Sequence, residues 1–238
     1  MPVDIILSVL LVSIIQSIFG VGVLLFGTPL LLLLEYNYST TLLVLLPISI
    51  VINAMQIFKH HEYIDIKFYK NVLYFTIPII IFFLIIGLTA SININLLVGV
   101  FLVFIALKYF FINESKIINI NIKHEKINLV LMGIVHGLTN LGGSLLTAIV
   151  FNKQYDKNEA RVTIAICYLT FAIVQIITLL FLNEKSGFTL TNNIVFILIG
   201  ALSFIIIEKT IFLNIKSEDY QRVFSAFLFV SGFSLIIW

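Results

Sequence analysis

Residues Gly133 to Thr147 read GIVHGLTNLGGSLLT, and residues Leu11 to Gly27 read LVSIIQSIFGVGVLLFG. A shift of 120 positions sets Gln16 on His136, Ser17 on Gly137 and Gly20 on Asn140. The same shift sets Gly22 on Gly142, Val23 on Gly143 and Leu24 on Ser144. In both copies an apolar segment runs into glycines and then resumes. Glycine weakens a helix interior by about 1 kcal/mol relative to alanine, so closely spaced glycines mark a break. A broken helix in each half of an apolar chain points to the binding site of a transporter.

The composition makes this an integral membrane protein. Hydrophobic residues form 61% of the 238 and charged residues 11%, and the mean hydropathy is +1.14. A soluble domain has roughly 25% charged residues. Windows 5–34, 36–58, 71–107, 127–152, 162–183, 186–207 and 223–238 carry no Asp, Glu, Lys or Arg. A transmembrane helix needs about 20 apolar residues. The net charge of +2 says little about partners, and the lack of a basic stripe with interleaved aromatics argues against nucleic acid. A single cysteine, Cys167, excludes an internal disulfide and a CxxC metal site. No metal ligand set and no cofactor motif is seen. Asp4 stands where a signal peptide would carry positive charge, so the N-terminus reads as retained structure.

Window 5–34 is broken at Gly20 to Gly22, and each half is about 20 Å long, short of a 30 Å hydrocarbon core. A span follows over 40–58, then the charged run Lys59 to Lys70. Window 71–107 must hold two spans, with a turn at Ala90 to Asn95. After a polar linker the order repeats: a broken element over 127–152, then spans over 162–183, about 190–207 and 223–238. The halves are therefore 1–111 and 127–238, joined by a cytoplasmic linker at 112–126.

Charge sets the sidedness. If each broken element dips in and returns, thirteen of the fourteen basic residues fall on one side and only Lys185 lies opposite. The positive-inside rule makes that side cytoplasmic. Each half then crosses an odd number of times, so the halves are inverted and both termini lie outside. The expected architecture is an all-α polytopic membrane protein of two inverted repeats. Each repeat is a glycine-broken re-entrant (or short-span) hairpin plus three transmembrane helices, set in the cytoplasmic membrane.

At a hairpin tip the second arm presents unpaired N–H groups and about half a positive charge, which can hold an anion without arginine. The expected substrate contacts are Gly20, Val21, Gly22 and Val23 in one tip, and Leu141, Gly142, Gly143 and Ser144 in the other, with Thr139 and Asn140 as added donors. The plainer reading of these glycines is close helix packing. His136 is the one histidine in an apolar window; with a reference pKa near 6.5 it can carry a proton, or it simply donates to a carbonyl across a packing contact. Gln16, Asn53, Gln56 and Gln175 line the pathway or bridge helices; Gln56 and Gln175 match at a shift of 119.

These motifs resemble the TauE/SafE sulfite exporter family, whose halves each open on G-x-G-G-G followed by P-x-L. The first half carries Gly20-Val21-Gly22-Val23 and then Pro29-Leu30-Leu31; the second carries Asn140-Leu141-Gly142-Gly143-Ser144, with Ile149 where proline would fall. The resemblance implies a permease that moves a small sulfur-containing or organic anion, such as sulfite, thiosulfate or a sulfonate. The matching glycines are Gly20, Gly22, Gly142 and Gly143. Partners are then the small anion and the lipid bilayer, and a homo-oligomer is allowed. The competing readings are a channel-like anion pore and a non-transporting structural protein. An enzyme is disfavoured: no Asp or Glu follows Asp4 in the apolar windows, and His136 and Ser144, eight residues apart, make no dyad.

Overall fold

The computed structural model describes residues 2–19, 22–90, 92–111, 124–153, 155–182, 190–210 and 229–237. Among these residues every regular element is helical. The order is α1 (Val3–Phe19), α2 (Val23–Leu33), α3 (Tyr38–His60), α4 (Ile66–Phe75), α5 (Ile77–Thr89) and α6 (Ile94–Phe111), followed by α7 (Glu125–Thr139), α8 (Gly143–Phe151), α9 (Lys157–Phe181) and α10 (Leu190–Thr210). Residues 229–237 are also helical. Gly20, Val21, Lys185, Trp238 and the segment 112–123 lie outside the described residues.

Helix starts follow capping chemistry. The side chains of Asn37, Asp65 and Asp156 accept from the amides of Thr40, Phe68 and Glu159, respectively, each satisfying a donor that a helix start leaves unpaired. Asn93 does the same for Leu96, so α6 begins at Ile94, inside the turn expected at 90–95. Likewise α7 begins at Glu125, whose carboxylate suits a helix N-terminus, rather than after the expected linker end at 126. Helices α4 and α5 form one apolar run, Ile66–Thr89, interrupted at Thr76 because Pro78 enters the first turn of α5 and cannot donate to the ladder. This run, Tyr38–Tyr63 and Asn158–Phe181 are long and apolar enough to cross a membrane.

Both broken elements are hairpins whose two ends meet. In the first, the Tyr36 hydroxyl just beyond α2 donates to the Asp4 carboxylate in the first turn of α1 at 2.7 Å. In the second, Lys153 just beyond α8 pairs with Glu125 at the start of α7 at 2.6 Å. Equivalent pairings recur across the bundle. Helix α3 packs along α9 at its centre, α1 packs on α10, and α7 packs on α5. The first arm of each hairpin thus lies against a helix from the other part of the chain. The α7–α5 contact is close because added carbons at Gly133 and Gly137 would lie 3.1 Å from Thr76 O and 2.8 Å from Ile80 O. That small-xxx-small spacing is a known membrane packing device, which the sequence reading did not use.

One end of the bundle gathers the charges. Lys59 and Arg161 pair with Glu208 at 3.6 and 3.1 Å. Asn71 donates to Glu125, the Tyr155 hydroxyl to Asp65, and the Asp65 amide to Thr163. These contacts bring α3, α4, α7, α9, α10 and the residues Lys153 and Tyr155 together at the same end. Burial alone would raise the Asp65 carboxyl, but the Tyr155 hydroxyl, the amides of Phe68 and Lys67 and the Lys153 ammonium together bring it below the usual carboxylate range.

Candidate functional site

The residue Gln16 before the first break bonds to α3, and Asn140 in the second turn bonds to α9, which packs along α3. In the second, α7 ends at Thr139 and Asn140 takes a left-handed conformation, φ 63°, which asparagine tolerates better than most residues. Its amide bonds back to His136 O at 2.8 Å, closing the helix with the αL cap geometry. The Asn140 side chain is then free to bridge. Its Nδ2 donates to Thr28 Oγ1 on α2 at 3.0 Å, and its Oδ1 accepts from Gln175 Nε2 on α9 at 3.3 Å. One residue at this turn therefore ties together both hairpins and a central helix.

The first turn is built on a parallel plan. The Val23 amide at the start of α2 donates to Gln16 Oε1 at 3.0 Å, and Gln16 Nε2 reaches Asn53 Oδ1 on α3 at 3.5 Å. Asn53 Nδ2 in turn donates to the Ser49 carbonyl and hydroxyl. The glycines matched by the 120-residue shift play matching roles. An added carbon at Gly22 would lie 2.8 Å from Gln16 N, and one at Gly142 would lie 2.5 Å from His136 Cβ. Each glycine lets the second arm start directly against the backbone of the first.

Several polar groups here have no partner. His136 is fully buried, and neither ring nitrogen makes a hydrogen bond, although the Gln175 amide stands beside the ring. Both polar atoms of Gln56, and Oε1 of Gln175, are buried without partners as well. The imidazole packs against Phe171 and Tyr168, with centroids 4.9 and 6.1 Å away. The Tyr168 hydroxyl rests on Gly143, where an added carbon would fall 1.1 Å from it. Thr139 and Ser144 donate their hydroxyl protons to the carbonyls of Val135 and Leu141, and Thr139 Oγ1 accepts from the Leu141 amide. The site-forming windows contain no charged residue.

The structure thus draws Gln16, Val23 and Asn53 into one cluster, and His136 through Ser144 with Gln175 into another. Thr28, Tyr168 and Ser49 join them without having been singled out from the sequence. Tyr168 carried a signal, since it lies seven residues before Gln175 on α9 and two helical turns bring such residues to one face. Thr28 carried none, because its partner Asn140 is 112 positions away. Among the described residues no group of His, Cys, Asp and Glu could hold a metal ion.

The family model for the sulfite exporter TauE/SafE matches residues 5–235 of the chain. No curated protein and no solved structure matches it.

Proposed function

Because this chain belongs to the sulfite exporter TauE/SafE family, we propose that it is a secondary transporter moving a small sulfur-containing or organic anion across the cytoplasmic membrane by alternating access. Sulfite, thiosulfate and sulfonates are the substrates to test first. The observation that carries this reading is the junction at Asn140, where two hairpins and α9 meet beside the unpartnered ring nitrogens of His136 and the unpaired Oε1 of Gln175. A buried polar group without a partner costs about 1–3 kcal/mol. A bound anion would accept from a ring N–H of His136, and a second proton on His136 would give Gln175 Oε1 the donor it lacks.

In this reading the hairpins are re-entrant and the two halves, 1–111 and 127–238, are inverted repeats. The second arms, α2 and α8, have 11 and 9 residues. At 1.5 Å per residue they reach about 17 and 14 Å, half of a 30 Å core. Their N-termini then lie near the midplane, where backbone N–H groups and the helix dipole favour an anion. Such a site needs no lysine or arginine, and the apolar windows contain none. The joined ends of each hairpin support an element that enters and leaves on one side, and the exchanged packing of α1 on α10 and α7 on α5 supports a pseudo-twofold relation. The lysine-bearing end is cytoplasmic by the positive-inside rule. Alternating access would rock the halves about Asn140, with His136 taking up and releasing the co-transported proton.

Flux into proteoliposomes tests this. Sulfite, thiosulfate, sulfonates and small carboxylates are supplied with and without an inward proton gradient, for the native chain and His136→Ala. Saturable flux with a gradient dependence lost in the variant supports coupled transport. Saturable flux with the dependence unchanged returns His136 to packing. Flux linear in anion concentration favours a channel-like pore, and no flux of any panel member from folded protein rejects the transporter reading for these anions.

A further inference from the structure

At the lysine-bearing end a cleft of about 940 Å³ opens between α4, the base of the second hairpin and residues Asn152, Lys153 and Tyr155. Asp65, Lys67, Glu125, Lys126, Lys153 and Tyr155 contribute to its walls. Helices α4 and α7 both begin at its rim, so two positive dipole ends face it. Both carboxylates are already engaged. Asp65 accepts from the Tyr155 hydroxyl and the Phe68 amide, and Glu125 is held by Lys153 and by Asn71 at 2.8 Å. Lys153 is only 19% exposed and lies 4.9 Å from the centroid of the Phe68 ring and 5.9 Å from that of Tyr155. Its ammonium group is therefore partly stripped of water, ion-paired with Glu125 and within electrostatic reach of Asp65. A desolvated cation whose ion pair with Glu125 can be exchanged offers an incoming anion a partner, while Asp65 stays bonded to the Tyr155 hydroxyl and the Phe68 amide.

We propose that this cleft is an entry site for a small oxyanion, and that the anion displaces Glu125 from Lys153. The inference rests on the transporter reading and extends it. The Lys153–Glu125 contact closes the base of the hairpin whose tip carries Asn140, Gly142 and Gly143. An anion that takes Lys153 therefore also releases that base, linking arrival at the cleft to movement of the deeper site. Lys67 and Lys126 add positive field at the mouth, which raises the local anion concentration. Free solute and the phosphate of an anionic lipid headgroup share this chemistry; the geometry points to the solute because the cleft is walled partly by the hairpin base itself.

The test is equilibrium binding of radiolabelled sulfite to the full chain in lipid-free detergent at low salt, for the native protein, Glu125→Gln, Lys153→Met and Lys153→Arg. Removing the competing carboxylate should tighten binding about threefold to tenfold. Lys153→Met should weaken it about tenfold, the loss of one charge-assisted hydrogen bond. Lys153→Arg should stay near the native value, which guards against a variant that merely folds poorly. The opposite signs of Glu125→Gln and Lys153→Met are the signature, because a purely structural ion pair would weaken binding from both sides or from neither. Equal loss in both, or no change in either, overturns the assignment. So does added phosphatidylglycerol that displaces sulfite from the native protein but not from Lys153→Met, since the cleft then belongs to lipid. Unchanged binding alongside saturable flux sinks this inference alone; absence of flux for every panel anion removes the transporter reading and this inference with it.

Discussion

Replacing Gly142 by alanine tests the hairpin geometry directly. Gly142 has φ −58° and ψ −12°, a right-handed conformation open to any residue, so the substitution adds no backbone strain of its own. The added carbon would lie 2.5 Å from His136 Cβ, 2.7 Å from Met132 O and 3.0 Å from His136 Cα. Carbon contacts are optimal at about 3.5–4.0 Å, so α8 must move roughly 1 Å away from α7. None of the three atoms can yield by a rotamer change, since all belong to the backbone or to a Cβ. Overpacking of this kind costs about 1–3 kcal/mol, and each kcal/mol lowers the melting temperature of a chain this size by about 2–4 °C. The expected result is a drop of roughly 2–12 °C, measured by helical circular dichroism in detergent, together with loss of anion flux. Gly87→Ala is the control, because its added carbon meets nothing closer than 3.5 Å within α5. That variant should match the native protein or gain up to about 1 kcal/mol from helix propensity. If Gly142→Ala melts like Gly87→Ala and still transports, the close apposition of the two arms does not matter to this protein.

Other consequences can be checked with the same preparations. Asn140→Gly keeps the left-handed turn but loses the bonds to Thr28 and Gln175, while Asn140→Ala also adds the cost of a positive φ, roughly 1 kcal/mol or more; alanine should therefore melt below glycine, and both should reduce flux. Glu208→Gln should destabilise more than Lys59→Met, because the first removes the carboxylate charge beside Arg161, 11% exposed, and the second removes a lysine that is 57% exposed; comparison of melting temperatures decides. The Tyr36 hydroxyl is pushed up to about 12 by burial and then by its hydrogen bond to Asp4. A raised folded value means that its stabilisation is complete below the ordinary value near 10 and is lost as pH climbs from 10 to 12. The stability gap between native protein and Tyr36→Phe should close over that interval, and a gap constant from pH 8 to 12 would contradict the assignment.

The glycine breaks show how far sequence reading reached. Gly22 and Gly142 were matched by position alone, and the structure gives them the same task, each against the residue six places earlier, Gln16 or His136. Segment order was equally legible, since hydropathy and helix breaking are local properties that survive in one dimension. The clustering of Lys59, Lys153 and Arg161 at one end was also foreseen, because it needs only the number of turns between them. The pocket-level choices were not legible. Thr28 and Asn140 meet across 112 positions, and Gly137 rather than its neighbours faces Ile80 on α5. Most of these helices are apolar on all sides, so no stripe in the sequence marks which face turns inward. The sequence by itself determined the membrane class, the two glycine breaks and the gathering of charge at one end of the bundle. Only the tertiary structure decided which polar side chains share a site, because helix rotation and tilt are set by close packing between distant residues rather than by hydropathy.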